Sequence, residues 1–401
     1  MTSRQRVRTV LQGRIPDRIP CGLGGCETAG LHILAYEKLQ SILGAEKTPP
    51  RMDTFMSNAV FEMDVLHKLG ADILLLASPH MCKAPLWGSN NDSHWKEQTL
   101  WGRSFRVAAA DTFETLKDGT VVWKSGRELI CPPGSFFFDS AEMTDLTADF
   151  SYISPDDYNP PTSIGDDKLR ELENLAKQMY EETDFSICLG ETITDLQVAP
   201  GGHIGSMVLM LEEPDVMKAF LQKSLESSLS QLAELDQAVG KYVDILSIAH
   251  DFGDNKSVTI GEDLWREIYK PFYKELFTKW GQITNMKSNF HSCGSIYAIL
   301  GDLIECGLDI YNPVQISATD MDAQRLKNQF GDKLIFWGGA YDSQLFSKEE
   351  DQESVYQKVS TTLNTLAAEG SYIFSGVHNL PPEIPKHHLK AMIQAWQDYK
   401  Y

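Results

Sequence analysis

The chain has 401 residues, 42% of them hydrophobic and 23% charged, with a formal net charge of -20. That length holds one large domain or two ordinary ones, and the composition is that of a soluble globular protein. The negative charge argues against nucleic acid as a partner, because phosphate would be repelled, and no run of ~20 apolar residues is present to span a membrane.

Seven cysteines, scattered and odd in number, do not make a disulfide framework. The basic start Met1 to Arg8 is not followed by the apolar stretch of a signal peptide, so a cytoplasmic location is expected.

In chain order, Arg4 to Leu11 reads as a short helix stopped by Gly13 and Pro16, and Ile19 to Leu23 as a first strand ending at Gly24-Gly25-Cys26-Glu27-Thr28. Helices are expected over Leu31 to Leu43 and Asp53 to Leu69, then an apolar strand over Asp72 to Leu76 that runs toward His80. From Trp101 the character changes. Phe105-Arg106-Val107 and Val121-Val122-Trp123 alternate around the turn Lys117-Asp118-Gly119, which predicts an antiparallel β-hairpin insertion at about 101–160.

Regularity returns with a helix over Asp167 to Glu181, a strand over Phe185 to Leu189, and a long helix opened by Pro214 and ending near Ala238. A strand over Val243 to Ile248, a helix around Leu264 to Trp280 and a strand over Met286 to Phe290 follow. The rhythm then tightens: helix Ile296 to Ile304, strand Leu308 to Tyr311, helix Met321 to Phe330, strand Lys333 to Trp337, helix Glu349 to Leu366, strand Ser371 to Phe374, helix His387 to Tyr399.

Eight strand candidates, each followed by a helix or by a loop leading to one, spell an α/β fold of the (β/α)8 TIM-barrel type, a single domain over 1–401. The missing G-x-G-x-x-G after the first strand counts against a doubly wound sheet.

In such a barrel the residues just beyond the strands converge at one mouth. Here they are Glu27, His80, Glu191, His250 and Asp251, His291 and Cys293, Asn312 and Gln315, Asp342, then His378 and Asn379. His291 and Cys293 stand two apart at a strand end, so a period of two points imidazole and sulfur the same way, as half of a zinc site. His378, beyond the last strand, supplies a third ligand, with Glu191, Asn312 and Gln315 as candidates for the fourth position or for support.

Three blocks carry a resemblance. They are Arg6-Val7-Arg8 through Pro16-Asp17-Arg18-Ile19-Pro20, the block His291-Ser292-Cys293-Gly294-Ser295, and Gly307 to Gln315 followed by Trp337-Gly338-Gly339. Together they resemble the uroporphyrinogen decarboxylase superfamily over nearly all of the chain. The decarboxylases themselves have an arginine-rich clamp after the first strand, and Leu23 to Gly30 contains no arginine.

The chain is more similar to the other branch, corrinoid-dependent methyltransferases whose zinc motif is H-x-C followed much later by a cysteine. His291 and Cys293 match the first two positions, and His378 stands where the family has cysteine, which argues against a thiol substrate such as coenzyme M.

The resemblance implies Zn²⁺ on His291, Cys293 and His378, and a methyl group passing from an O-methylated substrate, an aryl methyl ether, to the Co(I) corrinoid of a separate corrinoid protein. No D-x-H-x-x-G sequence is present for this chain to bind the corrinoid itself. Glu191, His250 and Asp251 are the expected orienting and proton-transfer groups. Glu27, His80, Asn312, Gln315, Trp337, Tyr341 and Asn379 are expected around the substrate, with Trp87 and Phe374 adding aromatic surface. Two alternatives stay open: a decarboxylase of a small acid that uses Lys287, and a non-catalytic barrel that docks a corrinoid protein. The oligomeric state is open as well, a homodimer being one option.

Overall fold

The computed structural model describes residues 1–45, 49–76, 92–124, 128–140 and 154–401. Its centre is a parallel sheet of β1 (Ile73–Leu76), β2 (Ser186–Leu189), β3 (Ile245–Ala249), β4 (Lys287–His291), β5 (Ile310–Asn312), β6 (Ile335–Trp337) and β7 (Tyr372–Ile373). Each strand pairs with the next in sequence, from β1 at one edge to β7 at the other. Helices connect successive strands and cover the outside, where most of the large apolar side chains lie.

The expected first strand, Ile19 to Leu23, is reduced to a single parallel bridge between Cys21 and Phe374. It nevertheless joins the two edges. Asp72 N donates to Cys21 O (2.9 Å), Gly22 N to Phe374 O (2.8 Å), and Phe374 N to Pro20 O (2.9 Å), which draws the curled sheet into a TIM-barrel-like ring. Pro20 has no N–H to extend the ladder, and Gly22 lies under the Trp337 indole, whose Nε1 would be only 2.5 Å from an added Cβ.

Inside the ring the inward positions alternate along each strand and stack as Ile73, Cys188, Ile245, Ile310, Ile335, Trp337 and Ile373. Val7 and Val10 of the helix Ser3–Leu11 belong to the same cluster. The N-terminal run of the resemblance acquires a physical role here. Arg6 and Arg18 both grip the wholly buried carboxylate of Asp72, at 2.6 and 2.7 Å, next to β1.

Four stretches differ from expectation. Over Asp53 to Leu69 there are two short strands, Arg51–Asp53 and Asn58–Val60, and only then the helix Met63–Leu69. The Asp53 carboxylate accepts from the backbone of Phe55 and Met56, and Ser57 has φ +54°, so the segment turns instead of coiling. The helix around Leu264 to Trp280 is two helices, Glu262–Ile268 and Lys270–Ile283, broken where Pro271 starts the second. A helix that the sequence reading omitted, Gly202–Glu212, precedes the long helix Pro214–Val239.

The antiparallel region is richer than one hairpin. Trp95–Leu100 and Arg103–Ala108 pair around Trp101 and Gly102, both with positive φ, and Phe113–Thr115, Val121–Lys124, Glu128–Cys131 and Asp139–Ser140 form a second sheet. Val121 to Trp123 therefore pairs with Phe113–Thr115, and not with Phe105 to Val107, because the turn at Lys117 to Gly119 is too short to reach further back.

Candidate metal centre

Register sets the site. Ala249, His291 and Asn312 are paired neighbours at the ends of β3, β4 and β5, so their side chains share one level on the inner face. Beyond His291 the chain must turn sharply. Gly294 has φ +83°, and a Cβ there would lie 2.4 Å from the backbone of Gly253, so only glycine fits.

Side chains from neighbouring strand ends hold this turn. Cys293 N donates to Asp251 Oδ1 (2.8 Å) and Gly294 N to Gln315 Oε1 (2.8 Å), while Gln315 Nε2 donates to Asn255 Oδ1 (2.7 Å). His378 arrives from the other edge of the sheet, where Val377 N donates to Tyr341 O (2.9 Å).

The result is a cluster of three donors. One ligand atom each from His291, Cys293 and His378 lies within 4.8 Å of the others. Cys293 Sγ is 3.4 Å from His291 Nε2, and the two imidazole rings meet edge to face with centroids 5.2 Å apart. For a tetrahedral ion with Zn–S of ~2.3 Å and Zn–N of ~2.05 Å, sulfur and nitrogen ligands are about 3.5 Å apart, so the observed spacing fits a zinc-sized cation.

The hydrogen-bond network also selects the tautomer a ligand needs. Asn312 Nδ2 donates to Trp337 O (3.2 Å), which turns Oδ1 toward Thr28 and His291 as an acceptor. Thr28 Oγ1 donates to that oxygen at 2.7 Å, and His291 Nδ1 lies 2.9 Å from it. Nδ1 therefore carries the hydrogen, and the lone pair of Nε2 faces Cys293.

Electrostatics agree with a cation site. Burial lowers His291, and it lowers His378 to about 3 with His291 adding to the effect, so both rings are neutral. Burial, and then the charge of Asp251, push the Cys293 thiol up to about 12. A dication would supply the positive charge that a thiolate lacks here.

Residues 201–399 match the family model described as Uroporphyrinogen decarboxylase (URO-D), a segment that carries all three clustered donors. Over these residues the chain is similar to the uroporphyrinogen decarboxylase family. Among solved structures the chain is similar to a methyltransferase from Methanosarcina mazei, with a TM-score of 0.59, 14% identity and 99% of each chain covered. At that identity the likeness concerns the fold. No curated protein matches the chain.

The other expected site residues divide. Asp251 joins the cluster, its Oδ1 3.7 Å from His291 Nε2. Asn312 and Gln315 hold the ligands from behind, through the contacts already given. Glu27 and Glu191 lie together: Glu191 N donates to Glu27 Oε1 (3.2 Å), and the bare Cα of Gly190 makes room for that carboxylate, which would sit 1.5 Å from a Cβ. Burial, and then the charge of Glu27, push the Glu191 carboxyl up to about 8. His250 Nδ1 is 3.0 Å from Tyr273 OH, and its ring lies 3.9 Å from that of Phe252.

Four of the expected residues are engaged elsewhere. Tyr341 turns outward, its hydroxyl 3.0 Å from His388 Nδ1 and its ring stacked on Phe346, so it does not line the site. Trp337 is wholly buried in the barrel interior and contributes a carbonyl to Asn312, not a ring to a ligand. The Asn379 side chain is taken up by Gly30 N (2.6 Å). Phe374 likewise stacks on Trp396 in the outer layer. His80 and Trp87 lie outside the described residues.

Thr28 is the residue that sequence reasoning missed. It lies in the quoted run after the first strand, but a lone threonine carries no signal until Asn312 is placed beside it.

Proposed function

We propose that this chain is a zinc-dependent methyltransferase that moves a methyl group from an O-methylated small molecule, an aryl methyl ether, to the Co(I) corrinoid of a separate corrinoid protein in the cytoplasm. The observation that carries the reading is the cluster of His291, Cys293 and His378 at the mouth of a URO-D-like barrel, with His291 already in its ligand tautomer. The methyltransferase neighbour with the same fold supports it. Among the described residues no helix is long and apolar enough to cross a membrane.

A Zn²⁺ held by these three side chains would supply Lewis acidity, which would lower the basicity of the departing ether oxygen. The rest of the work falls to the protein. As the methyl carbon moves to Co(I), the C–O bond breaks and its electron pair stays on oxygen. Glu191, protonated up to about pH 8, gives its proton to the phenolate that leaves. Asp251, tied to Cys293 N, keeps the turn carrying the thiol in register. Glu27 supports Glu191 through its backbone N–H.

The decarboxylase alternative needed Lys287 at the mouth. Lys287 lies at the opposite end of β4 from His291 and pairs with Asp309 at 2.6 Å, which argues against it. The docking-only alternative is separated by substitution: His291→Ala and Cys293→Ala would bind a corrinoid protein normally, and in that reading nothing else would change.

The test combines the zinc-loaded protein, a Co(I) corrinoid protein and a panel of methylated aromatics, amines and thiols, followed by the absorbance of methyl-Co(III). Methoxy aromatics should give the signal, and His291→Ala should abolish it. Silence across the whole panel would overturn the proposal.

A further inference from the structure

Next to the cluster, on the side of Asp251, the structure has a pocket of about 60 Å³. Met207 and Met210 come down on it from the helix Gly202–Glu212, three residues apart and so on one face. Phe252 and Tyr269 form the opposite wall, with ring centroids 5.0 Å apart. His250 and Asp251 stand at the polar end. The walls thus include two thioethers and two aromatic rings, which favour a flat guest through sulfur and ring contacts. Gln197, Ser206 and Thr259 add polar groups to His250 and Asp251 around an otherwise apolar lining, the usual build of a small-molecule site.

We infer that this pocket seats the ring of the methyl donor, with the methoxy oxygen beside Asp251 and toward His291 and Cys293, where a bound zinc would meet it, and the methyl carbon left facing outward to the acceptor; the inference rests on the methyl-transfer reading of the same site. Size sets the class. At ~10–15 Å³ of such volume per water, the pocket holds about five waters, or ~150 Å³ of liquid, which is the room one benzene ring needs. Donors with a single ring fit, and fused bicyclic donors do not.

Asp251 links pocket and metal cluster: it lines the pocket, lies 3.7 Å from His291 Nε2 and accepts a hydrogen bond from Cys293 N. The barrel interior is filled by Trp337 and the inward isoleucines, so a guest in the pocket lies outside that packed cluster.

The experiment uses the full-length, zinc-loaded protein and two fluorinated probes, 4-fluoroanisole and 2-fluoro-6-methoxynaphthalene, titrated by fluorine NMR. Met207→Trp fills the pocket, and Met207→Leu keeps its volume. The expected result is binding of 4-fluoroanisole that weakens at least tenfold in Met207→Trp, stays within twofold in Met207→Leu, and exceeds that of the naphthalene at least tenfold, with zinc content equal throughout. Equal binding of 4-fluoroanisole by Met207→Trp and the unaltered protein, equal binding of the two probes, or no binding at all overturns the inference.

A parallel methyl-transfer assay separates it from the reading it rests on. Met207-dependent binding without methyl transfer upholds the pocket and removes the function. Methyl transfer from 4-fluoroanisole with an unchanged KM in Met207→Trp removes the pocket and leaves the function standing.

Discussion

Asn312 Oδ1 and His291 Nδ1 are 2.9 Å apart, and that contact decides which face of the imidazole points at Cys293. The amide cannot flip without losing both Trp337 O and the Thr28 hydroxyl, so the ring is held from behind by a chain of neutral, buried hydrogen bonds. Removing the acceptor should cost metal affinity first. Asn312→Leu is expected to weaken zinc binding ~10–100-fold, as loss of a ligand's outer partner does, while Asn312→Asp keeps the acceptor and the affinity. Competition against a chromophoric chelator measures both. Equal affinity of Asn312→Leu and the unaltered protein would show that His291 is not oriented by this contact.

His378 is the third donor of the cluster, and its ring faces His291 edge to face. Replacing it by cysteine adds a second thiolate and one more negative charge to the ligand set. His378→Cys should therefore hold zinc more tightly, against the same chelator, and transfer the methyl group more slowly, because a more charged ligand set withdraws less electron density from the ether oxygen. His378→Ala should lose zinc at chelator concentrations that leave the parent loaded. If His378→Ala retains zinc as the parent does, residue 378 is not a ligand.

The pH dependence of the reaction should reveal Glu191. Its carboxyl is raised from an ordinary 4.5 to about 8 by burial and then by Glu27, so the folded protein carries a proton there that the unfolded chain has released. Between pH 4.5 and about 8 the native state thus binds more protons than the unfolded one, and this group's contribution to stability declines as pH rises through that window. Two results follow. Methyl transfer should fall with an apparent pKa near 8, and Glu191→Gln should flatten the decline of melting temperature across the same range while lowering the transfer rate. A rate profile of Glu191→Gln that still falls near pH 8 would assign that limb to another group.

Much of this architecture is written in local pattern. The alternation of apolar strands with helices is visible because a parallel barrel strand is buried on both faces and reads as a continuous run, and the H-x-C spacing at a strand end transmits directly to geometry. Ile19 to Leu23 looked like its neighbours, yet the contacts that reduce it to a bridge come from Phe374 and Trp337, more than three hundred residues away. Tyr341 and Trp337 were placed at the mouth by counting from a strand end, but counting does not say whether a side chain turns in or out after the strand stops. The partner of His388 and the fit of Trp337 over Gly22 decide that, and both are tertiary. Thr28 and Met207 were silent for the same reason: their roles exist only once Asn312 and the helix Gly202–Glu212 are in place.

The opposite end of the barrel offers the clearest test of stability. Asp72 has no exposed side-chain surface and accepts from Arg6 Nη1 (2.6 Å), Arg18 Nη1 (2.7 Å) and Cys21 N (2.7 Å), while its own backbone N–H donates to Cys21 O. One carboxylate thus joins the first helix, the bridging segment and β1, where the ring of strands closes. Asp72→Asn would leave the buried Arg6 guanidinium with Asp17 as its remaining counter-charge, at 2.6 Å, so the cost should stay below the ~3–5 kcal/mol of a fully broken buried pair, whereas a paired replacement by apolar side chains, Arg6→Met with Asp72→Leu, removes both charges of the pair and should recover part of the loss. Arg18 is more exposed, so Arg18→Ala should cost less than Arg6→Ala. Urea midpoints followed by tryptophan fluorescence rank the four proteins, and a midpoint for Asp72→Asn equal to that of the parent would mean that the barrel closes without this ion pair.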